Sequence, residues 1–272
     1  RLDATGRPPW PAAAIAQRVM RELEQPISDV SDGSGPIFIV GMFRTGSTLL
    51  EQILAAHPRF SPLGESDFWP RQIARMGGRM VIPGQQPRAG DIPALRQSFE
   101  AMINSRAITP GTRPTDKRPD NLFHIATLAR VIPEARFIIT ERDWRDTLIS
   151  VFGTRLHPQH GYATSVALIR EHLRLCGVLA ARWEKVSPER ITRVRYEDLI
   201  QAPEATLKSL LGWLGESWDP ACLNFHKLDN PVRTASVWQI RQPLSSARRG
   251  RWRNYAEQLR SVLGPDLDSD TP

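Results

Sequence analysis

The chain has 272 residues, of which 40% are hydrophobic and 24% charged, and this composition is typical of a globular domain with a sizeable core. Its apolar runs are far shorter than the ~20 residues of a membrane-spanning helix, and no signal-peptide pattern opens the sequence. The net charge of +7 favours an anionic ligand, but it does not distinguish a small phosphate ester from a nucleic acid or an acidic protein.

The sequence before residue 36 predicts a helix followed by a linker. Residues 11–25 have a helical pattern with Pro11 near its start, and residues 28–35 have a linker composition. We therefore predict an N-terminal helix and linker at 1–35, a main domain at 36–260, and a C-terminal tail at 261–272. The last eight residues are expected to be disordered.

The main domain begins with a strand, a loop and a helix. Residues 36–40 (PIFIV) predict a short buried strand, and residues 41–46 form a loop bounded by two glycines. A helix with an apolar face begins at Ser47. Backbone N–H groups in such a loop and at such a helix start bind phosphate groups. We predict that this unit is a phosphate-binding loop.

Beyond this unit, strands alternate with helices. Strands are predicted at 59–63, 136–140 and 191–195. Helices are predicted at 66–77, 94–107, 120–131, 144–155, 163–185 and 203–215. The stretch 78–93 is expected to be a surface loop, and 112–119 is a basic segment before the helix at 120–131. The alternation predicts an α/β fold, a three-layer sandwich with a mainly parallel central sheet, and ligands in such folds lie at the C-terminal ends of strands.

The loop differs from that of a nucleotide hydrolase. A Walker A loop has lysine before its last serine or threonine, whereas Ser47 stands at that position here. An NTPase also needs an acidic residue at a strand end to help hold magnesium. The strand at 136–140 is followed by Glu141 and then by Arg142, and an arginine at this position favours the binding of a further anion. A P-loop kinase or NTPase remains an alternative, although two of its parts are missing or doubtful.

Two further groups of residues fit a nucleotide with phosphates at both ends. Arg142 lies at a strand end, and Ser150 follows it by about two helical turns, so both can face one phosphate. The second group combines arginines with tryptophans: Arg241, Arg248, Arg249, Arg251 and Arg253, with Trp238 and Trp252. Arginine binds phosphate in a bidentate way and tryptophan stacks on bases. A solvated basic loop or a nucleic-acid-binding module is the alternative for this stretch.

Taken together, these segments resemble the sulfotransferases that use 3′-phosphoadenosine 5′-phosphosulfate (PAPS). The resemblance covers roughly residues 36–255 and is carried by five segments in order: PIFIVGMFRTGSTLLEQILAAHP, DK-x-P at 116–119, FIITERDWRDTLIS, VRYEDLI, and PVRTASVWQIRQP with a later GRW. It is closest to the branch that contains the tyrosylprotein sulfotransferases and the bacterial sulfotransferases joined to tetratricopeptide repeats. The family usually has proline before the loop arginine, whereas this chain has Phe43.

The resemblance implies roles for individual residues. The residues implied at the 5′-phosphosulfate end are Arg44, Thr45, Gly46, Ser47 and Thr48; those at the 3′-phosphate are Arg142 and Ser150; those that close over the nucleotide are Tyr196, Ser236 and Arg251. Glu65 matches the general base that accepts the proton of an acceptor hydroxyl. Lys117 matches the lysine that contacts the transferred sulfuryl group, and Arg44 and Ser236 assist catalysis.

The resemblance also sets the expected partners. The cofactor is PAPS, the product is adenosine 3′,5′-bisphosphate, and neither a metal nor a nucleic-acid partner is expected. The acceptor is a hydroxyl of tyrosine, of another phenol or of a glycan. Cys176 and Cys222 are expected to be reduced thiols of a cytoplasmic protein, a Golgi lumen being the alternative for a secretory form. His57 and His124 are interpreted as packing residues, and the oligomeric state, a homodimer included, is left open.

Overall fold

A parallel sheet forms the centre of the molecule. The computed structural model describes residues 12–24, 33–78, 85–106, 108–158, 160–228 and 242–272. The strands are β1 (Ile37–Gly41), β2 (Phe60–Gly64), β3 (Arg113–Lys117), β4 (Arg136–Glu141) and β5 (Ile191–Arg195). Their order in the sheet is β2-β3-β1-β4-β5, and every neighbouring pair is parallel. The predicted α/β fold with a parallel central sheet is confirmed.

Helices cover the sheet. They are α1 (Ala12–Leu23), α2 (Ser47–Ala55), α3 (Phe68–Arg75), α4 (Ile92–Asn104), α5 (Ile125–Val131), α6 (Trp144–Phe152), α7 (Val166–Val186), α8 (Tyr196–Gln201), α9 (Pro203–Leu214) and α10 (Ala256–Leu263). Most match the predicted helices to within a few residues. The exceptions are α8 and α10, where no helix was predicted, and the segment before α5, which is the 3-10 helix Pro119–His124.

The core has two parts, one on each face of the sheet. Strand β1 contributes to both, because Phe38 and Val40 join one cluster while Ile37 and Ile39 join the other. The first cluster packs α1, α5, α6, α7 and α10 against the sheet, and the second packs α2 and α9. A strand buried on both faces explains why the sequence shows a continuous apolar run there instead of an alternating one.

Strand β3 lies within the segment 112–119, which was predicted only as a basic segment before a helix. Its sequence, RPTDK, has none of the apolar or β-branched run that marks the other inner strands, yet Thr115, Asp116 and Lys117 are fully buried between β2 and β1. Burial is tolerated because buried polar groups can be hydrogen-bonded. The Arg113 guanidinium, for example, donates to the carbonyls of Gly33 (2.7 Å), Gly35 (3.0 Å) and Leu214 (2.9 Å).

The C-terminal tail is ordered, which corrects the expectation of disorder. Gly264–Asp268 forms a 3-10 helix, and Leu267 is fully buried in the core. The start of α6 fixes it: Trp144 Nε1 donates to the Ser269 carbonyl (3.1 Å), and Arg145 Nη1 donates to the Leu267 carbonyl (3.1 Å). The tail therefore docks on the helix that follows β4.

Both cysteines lie within the described part of the chain. Cys176 and Cys222 are both buried and free, and the expected burial of Cys176 is confirmed. Among the residues that the structure describes, none of the helices combines the length and the apolar character required to cross a bilayer.

Candidate active site

The loop between β1 and α2 has the backbone of an anion cradle. Gly41 (φ 139°) and Gly46 (φ 96°) adopt positive φ, and among the described residues Arg44 (φ 71°) is the only non-glycine that does so. A Cβ atom at Gly46 would lie 2.9 Å from the Tyr196 ring, so this glycine permits a close approach. Gly46 is also the N-cap of α2 and no side chain caps the helix, which leaves its first N–H groups directed at the cleft.

Buried hydroxyl groups tie the loop to the end of β4. Thr45 Oγ1 donates to the Met42 carbonyl (2.7 Å) and shares a hydrogen bond with Thr140 Oγ1 (2.8 Å). The Thr45 side chain thus faces the sheet and fixes the loop to the end of β4. The Thr45 hydroxyl is therefore engaged within the protein and is not one of the groups that line the cleft.

Three arginines meet beside this loop. Arg44 Nε donates to Ser150 Oγ (3.0 Å), while Arg142 donates to the carbonyl of Arg248 and lies over the Tyr196 ring at 4.7 Å. Burial lowers the pKa of the Arg44 guanidinium, and the charges of Arg142 and Arg248 lower it further. Like charges held this close indicate a site for an anion that carries more than one negative charge.

Asp146 holds the C-terminal arginine segment onto this cluster. Its buried carboxylate accepts from the N–H groups of Gly250 (2.6 Å) and Trp252 (2.9 Å), and it lies 3.5 Å from Arg142 Nη2. The sequence analysis missed this residue. The available signal was its position in the first turn of α6, four residues after Arg142.

We expect Asp146→Ala to loosen the 248–252 segment. Two half-buried N–H groups then lose their acceptor, which costs about 1–3 kcal/mol of unfolding free energy, and the segment that carries Arg248 loses its anchor. Urea unfolding measures the first effect, and limited proteolysis after Arg248 the second. Asp91→Ala, at an exposed position, is the control and should change neither measurement.

A cleft of about 1030 Å³ runs along the C-terminal ends of the strands. Its lining contains most of the residues predicted from the sequence: Arg44, Gly46, Ser47, Thr48, Glu65, Arg142, Ser150, Tyr196 and Arg251. Ser236, Arg241 and Trp238 lie outside the described residues. Trp252 is engaged by Arg145 (4.8 Å) and Arg253 (4.9 Å), which leaves stacking on a base without structural support.

Glu65 and Lys117 form an ion pair at the other side of the cleft. Lys117 Nζ lies 2.6 Å from Glu65 Oε1. The Lys117 side chain is fully buried, whereas that of Glu65 is 36% exposed and lines the cleft. The sequence analysis expected Lys117 to face the transferred group directly. In the structure Lys117 does not line the cleft; its ammonium group lies behind Glu65 and contacts that carboxylate.

The comparisons with known proteins identify the family of the chain. A sequence profile of the sulfotransferase family matches residues 36–220, which is more than half of the chain. The chain belongs to the sulfotransferase family. An uncharacterised protein of Aquifex aeolicus is 27% identical over 84% of the chain, and protein-tyrosine sulfotransferase 2 of Gallus gallus is 25% identical over 71%. The chain spans 32% and 54% of the lengths of these two relatives.

The solved structures support the fold. The sulfotransferase domain of the Synechococcus PCC 7002 olefin synthase superposes with a TM-score of 0.60 at 20% identity, covering 91% of this chain and 98% of that domain. The sulfotransferase domain of the curacin biosynthetic pathway superposes with a TM-score of 0.54 at 19% identity, covering 83% and 97%. At these identities the likeness shows the shared α/β architecture only.

Phe43, the loop residue that departs from the family pattern, packs against a buried histidine. The rings of Phe43 and His160 meet edge to face, with their centroids 4.5 Å apart. Burial lowers the pKa of His160 to about 4, helped by the nearby charge of Arg118, so the imidazole is neutral at physiological pH. The Phe43 ring therefore packs on an uncharged partner at the edge of the loop.

His57 and His124 are the two histidines that were interpreted as packing residues. His57 Nε2 contacts the Ser217 carbonyl (2.9 Å), and Nδ1 accepts from the Arg59 N–H (3.2 Å), which fits a packing residue at the end of α2. His124 is buried in the 3-10 helix before α5. In the described ranges, no group of three histidine, cysteine or carboxylate side chains could hold a metal ion.

Proposed function

We propose that this protein transfers a sulfuryl group from PAPS to the hydroxyl group of an acceptor. One observation carries the proposal. A single cleft is lined by a phosphate-binding loop without the Walker lysine, by an arginine cluster at the end of β4, and by a carboxylate paired with a buried lysine. The first two parts suit a nucleotide with phosphates at both ends, and the third suits proton abstraction.

The residues present fit PAPS. The loop and the start of α2, with Arg44, Ser47 and Thr48, would hold the 5′-phosphosulfate end. Arg142 and Ser150, joined by Arg248, would hold the 3′-phosphate. A specific observation supports the second site: Arg142 Nε is buried and has no hydrogen-bond acceptor among the described residues, so it is a donor that an anion would satisfy. Tyr196 and Arg251 would then line the nucleotide.

The proposed reaction assigns steps to the residues of the chain. The Glu65 carboxylate accepts the proton of the acceptor hydroxyl, and the hydroxyl oxygen forms a bond to sulfur as the bond from sulfur to the 5′-phosphate oxygen breaks. Arg44 and the N–H groups of α2 stabilise the charge on the leaving phosphate. Bound PAPS supplies an activated sulfuryl group, whose transfer depends on positioning and charge stabilisation.

The ion pair gives Lys117 a second role. As Glu65 takes up the proton, it loses its negative charge and its hold on the Lys117 ammonium weakens. Lys117 is then free to turn toward the oxygens of the sulfuryl group. Proton transfer and charge stabilisation are coupled through the 2.6 Å contact between the two side chains.

The acceptor carries a hydroxyl group beside an apolar body. The protein-tyrosine sulfotransferase similar to this chain acts, by its name, on tyrosine, and we extend to this chain a phenol such as tyrosine, with a glycan as the second candidate. Apolar side chains of the cleft near the loop, such as Phe43 and Pro119, suit a ring.

We place the protein in the cytoplasm, because its two free cysteines are buried and unpaired.

Binding of the product nucleotide tests the proposal without an identified acceptor. Adenosine 3′,5′-bisphosphate at 100 times its Kd should stabilise the fold by about 2.7 kcal/mol, which raises Tm by roughly 5–10 °C in a chain of this size. Thermal melting with this ligand is compared with ATP plus magnesium and with a DNA duplex. Stabilisation by ATP and magnesium alone would point to a kinase or NTPase, and a salt-dependent response to DNA alone would point to a nucleic-acid-binding module.

A further inference from the structure

Glu51 is a buried carboxyl group that lies next to the proposed base without lining the cleft. It sits on α2, one turn beyond Ser47, and its side chain is 2% exposed. Its Oε1 atom accepts from the N–H of Gly64 (3.0 Å) and from Thr115 Oγ1 (3.4 Å). One carboxyl group thus connects the helix of the phosphate-binding loop with β2 and β3.

The Gly64 contact bears directly on Glu65. Gly64 has a positive φ (68°), and the pairing of β2 with β3 shifts between Pro62 and Gly64. The backbone therefore leaves the regular strand one residue before Glu65. An irregular backbone holds one conformation only where its surroundings fix it, and the Glu51 carboxyl is the acceptor for the Gly64 N–H.

The Thr115 contact bears on Lys117. Residues 115 and 117 point to the same face of β3 because side chains alternate along a strand. Glu51 therefore faces the side of the strand from which Lys117 reaches Glu65. We propose, on the basis of the function proposed above, that Glu51 is a positioning residue, which fixes the Glu65–Lys117 pair at the cleft by holding the Gly64 N–H and the Thr115 hydroxyl.

The charge of Glu51 adds a dependence on pH. Burial raises its pKa to about 7, the Lys117 charge and the Gly64 N–H oppose this rise, and the Glu65 carboxylate adds to it. Asp116, also buried on β3, is a further carboxyl group whose charge interacts with that of Glu51. Above about pH 7 an ionised Glu51 places a second carboxylate beside Lys117 and draws the ammonium away from the cleft. We expect kcat to fall as the pH rises through this value.

Two substitutions separate positioning from charge. Glu51→Gln keeps an oxygen that accepts from the Gly64 N–H but cannot ionise, so kcat below pH 7 should stay within threefold of wild type and the fall above pH 7 should disappear. Glu51→Ala leaves the Gly64 N–H without its acceptor, and kcat should drop at least tenfold while the Kd for adenosine 3′,5′-bisphosphate changes less than twofold. Glu204→Gln, at an exposed position of α9, is the control.

Thermal melting provides a readout that does not depend on activity. A carboxyl group with a higher pKa in the folded than in the unfolded chain makes the fold less stable as the pH rises. For Glu51 this penalty is absent below about 4.5 and complete above about 7. The Tm of Glu51→Gln minus that of wild type should therefore increase between pH 5 and pH 8, and the control should show no such increase.

The outcomes distinguish this role from the proposed function. A wild-type chain that neither binds adenosine 3′,5′-bisphosphate nor transfers a sulfuryl group refutes the function, and the role of Glu51 with it. A wild-type chain that does both overturns only the role of Glu51 if Glu51→Ala keeps full kcat. If Glu51→Ala fails to fold, Glu51→Gln provides the test. The role of Glu51 is then overturned if the pH profile of kcat is the same as in wild type and if the Tm difference from wild type is the same at pH 5 and pH 8.

Discussion

Replacing Glu65 with glutamine is expected to lower kcat by about 10²–10⁴-fold, the usual contribution of a general base. The amide has nearly the same shape, but it cannot accept a proton. It also lacks the charge that holds Lys117 Nζ at 2.6 Å, so the coupling between proton uptake and the release of Lys117 is lost. Steady-state transfer from PAPS to a phenolic acceptor measures the effect.

Nucleotide binding shows whether that loss is chemical. Glu65 lies across the cleft from the arginine cluster, so the Kd for adenosine 3′,5′-bisphosphate should stay within about twofold of the wild-type value. Asp67→Asn is the matched control, because it also neutralises an exposed carboxylate, the one that pairs with Arg118. A Glu65→Gln variant that binds nucleotide and turns over at the wild-type rate would show that the base lies elsewhere.

The strands were predictable where their burial requires apolar or β-branched side chains in the sequence. Strands β1, β4 and β5 have apolar or β-branched side chains, and all three were found within one residue of their observed ends. Strand β3 was missed because its burial depends on partners distant in sequence. Arg113, for example, is satisfied by carbonyls on residues 33, 35 and 214, and no local pattern announces such contacts.

The site residues also fall into those that local sequence spacing predicts and those that depend on contacts distant in sequence. The glycine spacing of the loop and the Arg142–Ser150 spacing are local, and the structure brings both to one cleft as predicted. Asp146 and Glu51 were missed, because each acts on backbone N–H groups that are distant along the chain. A carboxylate on a helix looks solvated in a sequence, and only the tertiary contacts show that it is buried and used.

The second large effect is expected at the other end of the cleft, for Arg142→Ala. Hydrogen bonds to charged groups contribute about 1.5–3 kcal/mol, so the affinity for adenosine 3′,5′-bisphosphate should fall by roughly 10- to 100-fold. The affinity for adenosine 5′-monophosphate, which lacks the 3′-phosphate, should change by less than threefold. Calorimetric titration of both nucleotides gives the two ratios.

The comparison between the two nucleotides also removes the indirect effects of this substitution. Arg142 contacts the Arg248 carbonyl, the Tyr196 ring and Asp146, so its loss disturbs the cleft as well as any bound phosphate. Such a disturbance weakens both nucleotides alike, whereas a lost 3′-phosphate contact weakens only one. Arg155→Ala, at an exposed position just beyond α6, lowers the net charge equally and should leave both affinities unchanged. Equal losses for the two nucleotides in Arg142→Ala would place the 3′-phosphate away from Arg142, and the cluster would then serve the cleft only as a structural support.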